Sequence, residues 1–200
     1  VDRILSSTRT QPESTFSSAD ARAGGFIAAP AVVVKHHGIA AGQVLGVFRS
    51  LFRSDGKVVF RRQSDLAKLA GLSRPTIRKA VKILVEAGLL VTHQADPRET
   101  IRYQATRAGV AVLAEQWLPI PRFALGLPGA ARAVLGAIIW RAELSPMGDV
   151  CFDGVARLAD IAGIPIRSAR WGIASLEQEG LLQRIEGAPG EPVAVRILCP

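Results

Sequence analysis

Apolar positions recur along this chain with helical and strand periods. Ile77, Val81 and Leu84 fall at i, i+4 and i+7, the spacing that lines one face of an α-helix. Ser73 suits the N-cap of that helix and Pro75 its first turn, and Gly88 ends it. A second helix is expected over 65–70, closed by Gly71, where a left-handed cap favours glycine. An apolar run at 44–52 predicts a further helix. Strands are expected at KVVF (57–60), LLVTH (89–93) and TIRYQA (100–105), the last two joined by a turn at Asp96-Pro97-Arg98. Residues 1–25 carry no such period. Rich in Ser, Thr, Ala and Gly, they read as a mobile tail.

The pattern occurs twice. Sliding the chain by 92 positions matches it to itself without a gap over 47–105, with 15 identities in 59 positions, where background composition gives about four. Gly71 falls on Gly163, Arg78 on Arg170, Leu84 on Leu176, and Gly88-Leu89-Leu90 on Gly180-Leu181-Leu182. A period this long is that of a small domain rather than of a solenoid unit. Helix, strand, helix, turn, helix, hairpin is the order of a winged helix-turn-helix. The expected fold is therefore mainly α with small β wings: two tandem winged helix-turn-helix domains related by internal duplication. The expected boundaries are a flexible tail at 1–34, a first winged helix with a C-terminal linker helix at 35–120, and a second winged helix at 121–200.

Charge adds a function class. The formal net charge is +8, which points to an anionic partner, nucleic acid before membrane. The excess is local. Residues 35–120 hold 14 Lys and Arg against 6 Asp and Glu, residues 121–200 hold 8 against 8, and residues 1–34 hold 3 against 3. Solubility alone gives no reason for that concentration. Cys151 and Cys199, with no CxxC and no His at ligand spacing, argue against a zinc site or a disulfide framework. The longest apolar run, at 25–34, is too short to span a bilayer and unlike a signal peptide. A cytoplasmic, nucleoid-associated protein without a membrane partner is expected. His36 and His37 fall in an expected loop and His93 on a wing strand, all surface positions. No catalytic constellation stands out, so neither an enzyme nor a cofactor or metal is expected.

The stretch LAKLAGLSRPTIRKAVKILVEAGLL, at 66–90, resembles the helix-turn-helix of GntR- and MarR-type bacterial regulators. Tyr103-x-x-Thr106-x-x-Gly109 resembles the MarR-type passage from a wing strand into a following helix. The resemblance covers residues 42–118 directly, and the second copy only through the repeat. In those families the positions matching Arg74, Thr76 and Arg78 face DNA.

The residues themselves point the same way. With Ile77, Val81 and Leu84 facing the core, Arg74, Thr76, Arg78, Lys79 and Lys82 are left on the solvent side of helix 73–87. A helix in the major groove presents its N-terminal residues to base edges, and Arg matches guanine O6 and N7 in a bidentate fashion. Arg74 and Arg78 are assigned to base or phosphate contact, and Thr76 to phosphate or a thymine methyl. Ser73 joins Thr76 at phosphate beside the helix N-terminus. Lys79 and Lys82 are assigned to phosphate. Arg61 and Arg62 lead into the second helix near the backbone, Arg102 lies on a wing strand, and Arg98 at the wing tip reaches a minor groove or phosphate.

The second copy keeps the frame and loses the charge. Arg61, Arg62, Arg74, Lys79, Lys82 and Arg98 become Asp153, Gly154, Ile166, Trp171, Ala174 and Gly190. Arg170 retains the charge of Arg78, and Arg167 is new. Apolar side chains at solvent-facing positions are costly unless covered. Ile166 and Trp171 are therefore expected to face protein, either a twin chain or the first domain; the other readings are that Trp171 caps a small core, or that Arg167 and Arg170 make weak DNA contact. Together these features imply a sequence-specific double-stranded DNA-binding protein. The expected role is that of a bacterial transcription regulator acting as a homodimer, its effector unassigned. A replication initiator of a plasmid or mobile element, with both winged helices on DNA, is the alternative. A chromosome-segregation adaptor using winged helices for protein contacts is a further one.

Overall fold

A computed structural model describes residues 25–55, 58–94, 100–145, 148–185 and 194–198. It begins with an apolar strand, β1 (Phe26–Pro30), followed by helices α1 (Ala31–His37) and α2 (Ile39–Asp55). Strand β2 (Val58–Arg61) leads to α3 (Gln63–Ala70) and α4 (Arg74–Glu86). Strands β3 (Leu90–His93) and β4 (Ile101–Ala105) then complete an antiparallel sheet of order β2-β4-β3. Helix α5 (Arg107–Leu113) connects it to β5 (Trp117–Pro121) and a 3-10 turn (Arg122–Gly126). The remainder repeats the sequence of elements: α6 (Gly129–Ala142), β6 (Val150–Cys151), α7 (Val155–Ala162), α8 (Ile166–Gln178), β7 (Leu182–Ile185) and β8 (Ala194–Ile197). Its sheet has the order β6-β8-β7. The chain is mainly helical with small antiparallel sheets, and no helix among the described residues is long and apolar enough to cross a membrane.

Local chemistry sets the helix ends. Ser73 caps α4, its hydroxyl accepting from the Thr76 amide at 3.4 Å. Gly71 and Gly163 close α3 and α7 in left-handed conformations, at φ +61° and +64°, where a Cβ is disfavoured. Thr106 accepts from the Gly109 amide at 2.9 Å, and its hydroxyl donates to the Gly88 carbonyl at 2.6 Å. A Cβ at Gly109 would lie 2.1 Å from the Leu89 carbonyl oxygen. The Thr106-x-x-Gly109 spacing thus ties the end of β4 to the end of α4.

β1 and β5 form a separate two-stranded antiparallel ribbon, with Ala28 opposite Pro119. Proline is compatible with a two-stranded ribbon because both strands are edges. The ribbon lies between the two halves of the molecule. Leu118 and Ile120 of β5 are fully buried in a core continuous with Leu45, Phe48, Leu84 and Tyr103 on one side and Leu135, Ile138, Leu158 and Leu176 on the other. Helix α6 runs through its centre and is buried from Ala131 to Ile139. Even Arg132 is 8% exposed; burial pulls its pKa down.

Three expectations change here. The tail expected over 1–34 ends earlier, because Ile27, Ala29, Val33 and Val34 are buried in β1 and α1; residues 1–24 lie outside the described residues. His36 and His37 occupy the last turn of α1 rather than a loop. The border drawn at 120 and 121 falls inside β5, which pairs back to β1, so the segment belongs to both halves.

Candidate nucleic-acid interface

Helix α4 buries Ile77, Ala80, Val81 and Leu84. The opposite face carries Arg74, Arg78, Lys79 and Lys82, all exposed, with Thr76 half-buried. No acidic residue stands in the first turn of α4, so its amide dipoles add to the positive potential there. The Ser73 and Thr76 hydroxyls lie 2.8 Å apart, beside those amides and able to reorient toward an anion.

Arg78 is aimed. Its Nε donates to Gln63 Oε1 at 3.1 Å across the turn between α3 and α4. Gln63 packs near Tyr103, whose ring is fully buried and tilted against Phe48 at 4.9 Å. Burial pushes the Tyr103 phenol up to about 12, with Gln63 opposing that shift. The phenol is therefore neither an acid nor a base at neutral pH. Gln63 carries no motif, and the fifteen-residue separation from Arg78 gives no sequence signal of the contact. Lys82 faces Glu86 at 3.7 Å, with both side chains mostly exposed, a pair worth about 0.2–0.5 kcal/mol that a phosphate readily displaces.

Around α4, Arg62 sits exposed at the N-cap position of α3, and Arg61 is half-buried at the end of β2. Arg102 is exposed on β4, opposite Phe60 and His93 in the ladder. Its neighbour Tyr103 points into the core, as strand alternation requires. Arg98 lies outside the described residues. A groove of about 530 Å³ separates the N-terminal half of α4 from the end of α1, lined by His37, Ile39, Thr76 and Lys79. Lys35, on the same turn of α1, is exposed but pairs with Asp160 of α7 at 2.9 Å and does not line this groove.

The corresponding face in the second half differs chemically. Helix α8 buries Ala169, Gly172, Ile173 and Leu176. It exposes Arg167 and Arg170, with Ile166 at 47% and Trp171 at 54% exposure. Neither apolar side chain is covered by the first half. Asp153 is turned inward: it pairs with Arg141, whose Nη2 donates to Oδ1 at 3.3 Å, and this raises the guanidinium pKa further. The thiol of Cys151 is buried and pushed up to about 11 by that burial, so it stays protonated and inert. Among the described residues, no group of three or more His, Cys, Asp or Glu is placed to hold a metal ion.

No family model matches the chain, and no curated protein does. Among solved structures it is similar to the DIP2311 protein from Corynebacterium diphtheriae, at 15% identity and a TM-score of 0.26. That similarity covers 78% of this chain, which spans about a quarter (26%) of the other protein, and at that score it carries no argument.

Proposed function

We propose that the protein is a tandem winged helix-turn-helix, built from two copies of one fold, that binds double-stranded DNA sequence-specifically and regulates transcription. Helix α4 enters the major groove. The observation that carries this reading is the split of α4 into a buried apolar stripe and a cationic, acid-free N-terminal face. A helix that needed charge only for solubility would have no use for a Gln63 contact that orients one arginine. Arg74 and Arg78 reach base edges, where a guanidinium meets guanine O6 and N7. Ser73, Thr76, Lys79 and Lys82 hold phosphates, with Arg61, Arg62 and Arg102 flanking them. The division of roles is tested by selecting binding sites from a randomised duplex library. Arg78→Ala should cost about 1–3 kcal/mol on the selected site and relax preference at one base pair, whereas Lys82→Ala should weaken all sequences alike. Identical profiles for the two variants would refute that division.

A further inference from the structure

The two halves are placed in a reciprocal way. Ala28 and Pro119, which face each other, are the middle residues of their five-residue strands. Gly46 of α2 lies over Ala28 and Gly136 of α6 over Pro119; a Cβ at either would come within 2.5 and 3.0 Å of the respective carbonyl oxygen. Contacts that cross between the halves are mutual as well. A Cβ on Gly71, ahead of α4, would meet Leu125 in the turn after β5 at 2.6 Å. One on Gly163, ahead of α8, would meet Lys35 in the helix after β1 at 2.3 Å. Surface grooves occur as mates too, one including Leu69 and Arg122, the other Ile161 and Ala31. Contact of i with j matched by j with i is the mark of a twofold interface.

We infer that the chain is an internal pair about an axis through Ala28 and Pro119, and that α8 occupies the major groove adjoining the one read by α4. One chain then covers two unlike half-sites of a single duplex. This inference rests on the reading of α4 as a DNA-binding helix. The arrangement a homodimer would supply is supplied within one polypeptide.

The chemistry of α8 states what its half-site is. Its buried positions fall 92 residues after those of α4, so its exposed row corresponds. Ile166 stands for Arg74, Arg170 for Arg78 and Trp171 for Lys79. Arg170 keeps a side chain that reads guanine, whereas Ile166, next to the helix start, offers an apolar contact that a thymine methyl meets. The first turn of α8 has no acidic residue to repel the duplex. No cation replaces Lys79 or Lys82, so fewer phosphates are neutralised and this half-site binds more weakly. It is thymine-rich.

Selection of the full chain on a randomised duplex library, followed by footprinting and native mass measurement, tests this. One chain of 21.3 kDa per duplex is expected, protecting two successive major grooves about 10 bp apart. Arg170→Ala should lower affinity about 5- to 150-fold and erase preference in the second half-site alone. Ile166→Asn should erase its thymine preference. Protection of a single groove, two chains on a palindrome, or indifference to both substitutions would overturn the inference. So would a free wild-type chain that sediments as a dimer and becomes a monomer with Trp171→Ala, which would assign that face to protein. A wild-type chain that enriches no duplex at all would fail the reading of α4 itself.

Discussion

Gly163→Ala isolates the contact between the two halves. The residue caps α7 with φ +64°, and the backbone of α1 lies against it. Left-handed backbone costs a residue with a Cβ about 1–2 kcal/mol. The new Cβ would also stand 2.3 Å from Lys35 Cα and 2.7 Å from its amide nitrogen. Backbone cannot swing aside as a side chain does, so α1 must move by about 1 Å, and overpacking of this kind costs about 1–3 kcal/mol. The total is about 2–5 kcal/mol, a large part of the 5–15 kcal/mol that typically holds a domain. Gly88→Ala is the control, because it has φ +68° with nothing within 4 Å of the added Cβ. It should lose about 1–2 kcal/mol only. Gly71→Ala should fall between, since its obstacle is the Leu125 side chain. Urea unfolding reads the three losses, provided the m-value stays constant. Equal losses for Gly163→Ala and Gly88→Ala would refute the packing of α7 against α1.

Cys151 should resist thiol reagents in the native protein at neutral pH and react on unfolding, because burial keeps its thiol protonated; rapid labelling of the folded chain would contradict this. Lys35, at 2.9 Å, holds the Asp160 carboxyl below the usual range. A depressed folded pKa contributes stability above the unfolded value of about 3.9 that is lost as pH falls through the folded one. Asp160→Asn should therefore melt lower than wild type at neutral pH by a small margin, the pair being exposed. The two melting curves should converge in acid, and a constant gap would exclude the pair as the cause. Gln63→Ala should weaken binding to the selected site more than to random duplex, because it frees Arg78; equal losses would leave Gln63 without a positioning role.

The helical frame was legible in the sequence where a helix has a sharp period and a capping residue, as α4 does. Ile77, Val81 and Leu84 lie on the buried side of α4, and Ser73, Gly71 and Gly163 end helices as their chemistry requires. The ribbon was not legible. Aligned position by position, FIAAP and WLPIP agree only at the final proline, and proline ordinarily argues against a strand. The self-match also stops short of it. Val44-Leu45-Gly46 and Val134-Leu135-Gly136 are 90 positions apart, whereas the gap-free match runs at 92. Two residues of difference hide the glycines that let α2 and α6 approach the ribbon. At the candidate interface, the charges on α4 could be read from their phase, but the Gln63–Arg78 contact depends on tertiary packing alone.

The most direct test of the central claim is the affinity of the full chain for duplex DNA as a function of salt. Each neutralised phosphate contributes about −0.9 to the log–log slope. With the exposed cations of α4 and its flanks on the backbone, a slope of about −4 to −5 is expected. Lys82→Ala should make it shallower by about 0.9. A salt-independent affinity would contradict the account, as would a slope unchanged when Arg74, Arg78, Lys79 and Lys82 are all replaced by Ala.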